Sequence, residues 1–280
     1  MNSFAFTRYC LKTNAFRLVW LLFVNGLWPV LVCTAQVQDF SEYEKKIFAV
    51  GGNTLPYRLL LPKDFNPQKA YPLVVFLHGS GERGNDNEKQ LTHGAALFLQ
   101  DSVRTKYPAI VVFPQCAENS SWARIDTQVQ GPLERRMFTF YPKASPTLDM
   151  RLLEGLIAQL QKDYNIRKKQ RYVGGLSMGG MGTFELVNRN PSVFSAAFPI
   201  CGGAHPKIAR RLQKTDWWVF HGGADVVVPP KYSTNMVEAL QNKGAKVRYA
   251  LYPAVGHNSW DRAFKEPDLL PWLFSKSRFR

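Results

Sequence analysis

A serine stands between two glycines at Gly175-Leu176-Ser177-Met178-Gly179, the spacing G-x-S-x-G. A serine hydroxyl is a poor nucleophile until a neighbouring base takes its proton, and it must stand clear of the backbone to reach a substrate. Arg171-Tyr172-Val173-Gly174 before it is short and β-prone, and Gly180 to Asn188 after it suits a helix packed closely through its glycines. Strand, sharp turn and helix hold the hydroxyl at the apex of a strained turn, beside a helix N-terminus. A serine that merely caps a helix satisfies the same local pattern.

The base and its orienting acid are sought among five histidines and the loop carboxylates. Histidine is the usual base because it titrates near neutral pH, and a carboxylate orients the imidazole and stabilises its charged form. His257 lies in Gly256-His257-Asn258-Ser259-Trp260 after an apolar run, and Asp225 ends His221-Gly222-Gly223-Ala224-Asp225 after the run before it. The chain order Ser177, Asp225, His257 differs from the orders of chymotrypsin and subtilisin. His205 is the alternative base, while His78 and His221 begin glycine turns and are expected to brace them. Acyl transfer also needs two donors for an oxyanion. The backbone N–H of Met178 and that of Ser80, in His78-Gly79-Ser80-Gly81, are the expected pair. Trp122 and Trp260 are aromatic surfaces for a sugar or an acyl group, or core residues.

Taken jointly, Phe76-Leu77-His78-Gly79-Ser80-Gly81-Glu82-Arg83-Gly84, Pro114-Gln115-Cys116, Gly175 to Gly180, Pro199 to Gly203, His221 to Asp225 and Gly256 to Trp260 resemble the α/β-hydrolase superfamily. The nearest resemblance is to secreted bacterial esterases often labelled "predicted peptidase". These are related to phospholipase/carboxylesterase and polyhydroxybutyrate-depolymerase-like groups. It covers roughly residues 45–275. It implies hydrolysis of carboxylic esters without a cofactor, an open site lacking a large cap, and, by analogy, acetyl or feruloyl esters of plant polysaccharides. A serine peptidase of the prolyl-oligopeptidase type and a non-catalytic binding protein on a hydrolase scaffold are the competing readings.

These residues need a frame. Continuous apolar runs at 72–77 and 109–114 predict strands covered on both faces. Further strands are expected at 47–50, 55–61, 171–174, 196–201, 217–220 and 247–252, with Pro56 suited to a sheet edge. Helices are expected near 91–100, at 148–164 where leucines recur every four residues, at 231–242 and at 269–274. The alternation predicts a mostly parallel, doubly wound α/β sheet with helices on both faces, and ligands bind at the carboxyl ends of such strands. Residues 115–146 lose periodicity and read as a long loop.

Residues 36–280 are expected to form one catalytic domain. Residues 1–35 read as a cleaved export signal, with Arg8, Lys12 and Arg17 before an apolar Leu18–Val32 and small residues at Cys33 and Ala35. The apolar run is short for a membrane span, and Asn25, Gly26 and Pro29 interrupt it. A lipid anchor at Cys33 and an uncleaved anchor are the alternatives. The mature protein is then secreted or periplasmic, without a stable membrane span. Cys116 and Cys201 remain, as a disulfide or as two buried small hydrophobes. The formal charge is +15, but the cations are scattered along the chain, and no nucleic-acid motif accompanies them.

Overall fold

The computed structural model describes residues 38–131 and 135–278. The expected export signal lies outside them. Eight strands form one sheet in the order β1-β2-β4-β3-β7-β8-β9-β10. The strands are β1 (Glu44–Val50), β2 (Asn53–Leu60), β3 (Tyr71–Leu77), β4 (Ile110–Pro114), β7 (Ile166–Leu176), β8 (Ala196–Ile200), β9 (Asp216–Gly222) and β10 (Val247–Tyr252). β1 and β2 make an antiparallel hairpin, β2 is antiparallel to β4, and every later pairing is parallel. The mostly parallel sheet expected from the alternation is therefore present.

The helices are α1 (Ala95–Leu99), α2 (Asp101–Lys106), α3 (Leu148–Asp163), α4 (Met178–Arg189), α5 (Ala209–Leu212), α6 (Lys231–Gln241), α7 (Trp260–Ala263) and α8 (Leu269–Ser275). Successive residues of β3 show why the run is apolar throughout. Leu73, Val75 and Leu77 join a core with residues of α3, α4 and α6, whereas Val74 and Phe76 join a second core with residues of α1, α2 and α8. Side chains alternate across a strand, so a sheet covered twice needs apolar residues at both parities. Thr147 caps α3, its hydroxyl accepting from Met150 N–H at 3.2 Å.

Two expectations need correction. Pro56 is not on an edge, because β2 lies between β1 and β4. It is tolerated because its carbonyl, on the β4 side, accepts from Gln115 N–H beyond the last paired residue, Pro114. The missing N–H points the same way, past the end of the ladder. The second correction concerns residues 115–146, read as loop. They contain the antiparallel pair β5 (Ile125–Gln130) and β6 (Arg135–Phe140), separate from the main sheet. Ile125, Phe138 and Phe140 of this hairpin pack with Met181 of α4, Tyr232 of α6 and Val228. Phe138 N–H also donates to the Tyr232 hydroxyl at 2.8 Å.

Candidate active site

β7 ends at Leu176 and α4 begins at Met178, which leaves Ser177 alone to make the turn. Its φ of 54° and ψ of −117° are strained for a residue with a side chain. The turn closes only because glycines flank it. A Cβ on Gly179 would lie 1.9 Å from the Leu77 carbonyl oxygen, so no other residue fits. Ser177 N–H donates to Ile200 O at 2.9 Å and its carbonyl accepts from Met181 N–H at 3.0 Å, which fixes the turn from both sides.

The loops after β9 and β10 carry the other two groups to this point. His257 Nε2 lies 3.0 Å from Ser177 Oγ, and His257 Nδ1 lies 2.7 Å from Asp225 Oδ2. Asp225 Oδ1 accepts from the N–H groups of Val227 and Val228 at 2.8 and 2.9 Å. Burial pushes the Asp225 carboxyl up, but hydrogen bonds from His221, His257 and Val228 N–H outweigh it and hold the group well below the usual carboxylate range. An ionised Asp225 accepts from Nδ1–H and leaves Nε2 free to accept the serine proton.

The remaining histidines have structural partners. His221 is fully buried, with Nε2 2.8 Å from Val228 O and 3.2 Å from Asp225 Oδ2, and Nδ1 2.7 Å from Ser233 Oγ. It braces the Asp225 loop from behind. His205 Nδ1 instead accepts from Lys207 N–H at 3.1 Å, capping the short turn after β8, and His257 holds the position beside Ser177.

His78 organises the other side of the site. Its Nε2 accepts from Cys116 N–H at 2.9 Å, so the ring proton is on Nδ1 and donates to Gly79 O at 2.6 Å. In a trans peptide the C=O and the following N–H point in opposite directions. Holding Gly79 O inward therefore turns Ser80 N–H outward. Burial pulls the His78 imidazole down to about 4, which keeps it neutral. A Cβ on Gly79 would lie 2.8 Å from Leu176 Cδ1 and 3.6 Å from Ser177 Cβ, so this peptide passes directly beside the serine. Met178 is the first residue of α4, and its N–H has no acceptor within the helix.

Ser80, Ser177, Met178 and His257 line one cleft of about 410 Å³. Arg83, Ser121, Met181, Val227 and Val228 complete it together with Ile125, Thr127, Arg136 and Phe138 from the hairpin. All four hairpin residues lie within the stretch read as loop, and none of them carried a site role in the sequence. The alternation of Ile125, Thr127 and Val129 is the signal that finds the first strand.

The sequence left Trp122 and Trp260 open, as surfaces for a ligand or as core residues. Trp122 is fully buried, and its indole N–H donates to His78 O at 3.2 Å. It has no surface to offer a ligand and supports the His78 loop. Trp260 lies outside the cleft lining, edge-on to His257 at 5.4 Å and against His93 at 5.0 Å. It props the imidazole. Cys116 and Cys201 are free and buried, and burial pushes both thiols far up. No helix among the described residues is long and apolar enough to cross a membrane.

Residues 51–266 match the model of the Esterase family, "Putative esterase". A "Probable feruloyl esterase C" of Aspergillus oryzae is 24% identical over 215 residues, which are 76% of this chain and 71% of the relative. A "Probable carboxylesterase" of Oryza sativa subsp. japonica is 27% identical over 213 residues, 68% of this chain and 83% of the relative. Among solved structures, a thermostable esterase superposes with a TM-score of 0.75 at 36% identity, covering 85% of this chain. The chain spans only 64% of that structure's length. With a family match over most of its length and this sheet beneath its site, the chain belongs to the Esterase family of ester hydrolases, built on the α/β-hydrolase fold.

Proposed function

We propose that the chain hydrolyses carboxylic esters through an acyl-enzyme, with Ser177 as nucleophile, His257 as general base and acid, and Asp225 as the group that orients His257. The observation that carries this reading is the unbroken series of contacts from Asp225 Oδ2 through both nitrogens of His257 to Ser177 Oγ, at 2.7 and 3.0 Å. Ser177 Oγ attacks the ester carbonyl carbon while its proton passes to His257 Nε2. The oxyanion accepts from the N–H groups of Met178 and Ser80. Collapse breaks the carbon–oxygen bond to the alcohol, which leaves with the proton from His257. Water, deprotonated by His257, then attacks the acyl-serine, releasing the acid and restoring Ser177.

The substrate we propose is an acetyl or hydroxycinnamoyl ester borne on carbohydrate. Support comes from the feruloyl esterase relatives and from a cleft whose apolar wall, Ile125, Phe138, Met181, Val227 and Val228, suits an acyl group. Residues 1–35 are proposed as an export signal, on the basic start and short apolar run; sequencing the exported chain from its N-terminus tests this. A panel of p-nitrophenyl acetate, methyl ferulate and an aminoacyl anilide tests the activity. Turnover of both esters and not of the anilide is expected; turnover of the anilide alone refutes the ester reading.

A further inference from the structure

The end of the sheet away from Ser177 carries a second concavity, of about 830 Å³. It lies at the amino ends of four parallel strands. Lys168 and Lys169 enter it from the start of β7, Ser192 and Ser195 from before β8, Gln213, Lys214 and Asp216 from the start of β9, and Lys246 from before β10. Ser275, Lys276, Ser277 and Arg278 close it from the end of α8. Six cations thus face one carboxylate, and that carboxylate is taken: Asp216 Oδ2 lies 3.0 Å from Lys276 Nζ.

Two of the cations are fixed. Lys276 is held by Asp216, and Arg278 donates to Pro191 O at 2.8 Å and Phe194 O at 3.3 Å. Lys168, Lys169, Lys214 and Lys246 are exposed, and none forms an ion pair with a described residue. Gathering like charges raises the local potential, attracts anions and is relieved when an anion binds. The remaining lining is hydroxyl and amide. No aromatic or large aliphatic side chain contributes, so there is no platform on which bases stack and no wedge that enters a lipid surface.

We propose that this basin binds a stretch of acidic polysaccharide, its lysines engaging successive carboxylates while its serines and Gln213 meet sugar hydroxyls. A concave, charged, hydroxyl-lined surface without apolar anchors matches that chemistry. The inference is independent of the proposed esterase mechanism. From Lys168 to Ser177 the strand runs roughly 30 Å, several times the screening length of about 8 Å at physiological salt. The basin therefore holds a polymer without altering chemistry at the serine.

Affinity electrophoresis of the full chain through polygalacturonate, with vesicles containing anionic lipid assayed in parallel, tests the proposal. The variants are Lys168→Glu/Lys214→Glu/Lys246→Glu and Lys106→Glu/Lys162→Glu/Lys265→Glu, which have equal net charge. Retardation of the wild type is expected, weakened at least tenfold in the first variant and little in the second, with p-nitrophenyl acetate turnover unchanged in both. Lys→Gln versions at the basin positions show the same loss in milder form and serve if the charge-reversed chain does not fold. Equal weakening in both variants assigns the effect to bulk charge and overturns the proposal. No retardation, equal retardation by neutral polysaccharide, or stronger binding to the anionic vesicles overturns it as well.

Discussion

At the carboxyl ends of β7, β9 and β10, each proposed catalytic side chain has a named partner, and those partners are themselves held. Asp225 accepts four contacts, His257 donates one and accepts one, and the turn of Ser177 is tied at both its N–H and its carbonyl. At the amino ends of the same strands, four lysines stand in solvent with no ion-pair partner among the described residues. One end is built from directional hydrogen bonds, the other from an accumulation of charge. The first should be intolerant of single atoms and the second tolerant of any one residue, because directional contacts among buried groups are worth far more than solvated ones.

Removing atoms from the cleft end is the sharpest way to break this contrast. Ser177→Ala and His257→Ala are expected to lower kcat by on the order of 10⁴- to 10⁶-fold, and Asp225→Asn by about 10⁴-fold through the wrong imidazole tautomer. Thermal melting should change little for Ser177→Ala. Because Asp225 is held ionised far below the usual range, the acid side of the pH–rate profile should carry no separate limb from this carboxylate. A wild-type-like rate in any of the three variants breaks the assignment.

The next effect concerns His78, which turns the Gly79–Ser80 peptide without entering the reaction. His78→Ala should cost about 10²-fold in kcat with KM nearly unchanged, the mark of a lost oxyanion donor. His78 also links stability to pH. Its imidazole falls from 6.5 to about 4 on folding, so between those values the unfolded chain binds the additional proton. Stability then declines as pH drops from 6.5 towards 4, by on the order of 3 kcal/mol from this group. Urea unfolding of wild type and His78→Gln at pH 7 and pH 5 should show a shallower pH dependence in the variant; equal slopes contradict the buried neutral assignment.

The smallest expected effect lies at the hairpin. Tyr232→Phe removes the hydroxyl that accepts Phe138 N–H, a loss of about 1 kcal/mol. A rise in KM of roughly fivefold is expected for feruloyl esters and none for acetyl esters. Equal change for both shows that the hairpin does not shape the cleft for the acyl group.

Much of this was legible in the chain itself, for identifiable reasons. Glycine turns after apolar runs carry Ser177, Asp225 and His257, and a parallel sheet brings such turns to one edge. The run Leu73 to Leu77 announced a strand covered on both faces. The hairpin was not legible, because its polar residues and the glycine and prolines around it hid the alternation of Ile125, Thr127 and Val129. Trp122 and Trp260 could not be assigned by type, since an indole packs equally well under a loop or against a ligand. The basin was invisible because its cations lie at 168–169, 214, 246, 276 and 278, far apart along the chain and adjacent only once the strands align.

The hairpin has a consequence for how such a molecule can diversify. It contributes no strand to the main sheet, carries its own register, and meets the body through Ile125, Phe138, Phe140 and one hydroxyl. The proposed catalytic groups therefore descend from one set of loops, and one wall of the cleft from an insertion between β4 and α3. On the proposed chemistry, lengthening, trimming or exchanging that insertion is expected to alter which acids are admitted while the turn at Ser177 keeps its shape. Selectivity and chemistry are in this way separately heritable, and a library confined to Thr127, Arg136 and Phe138 explores the first without touching the second.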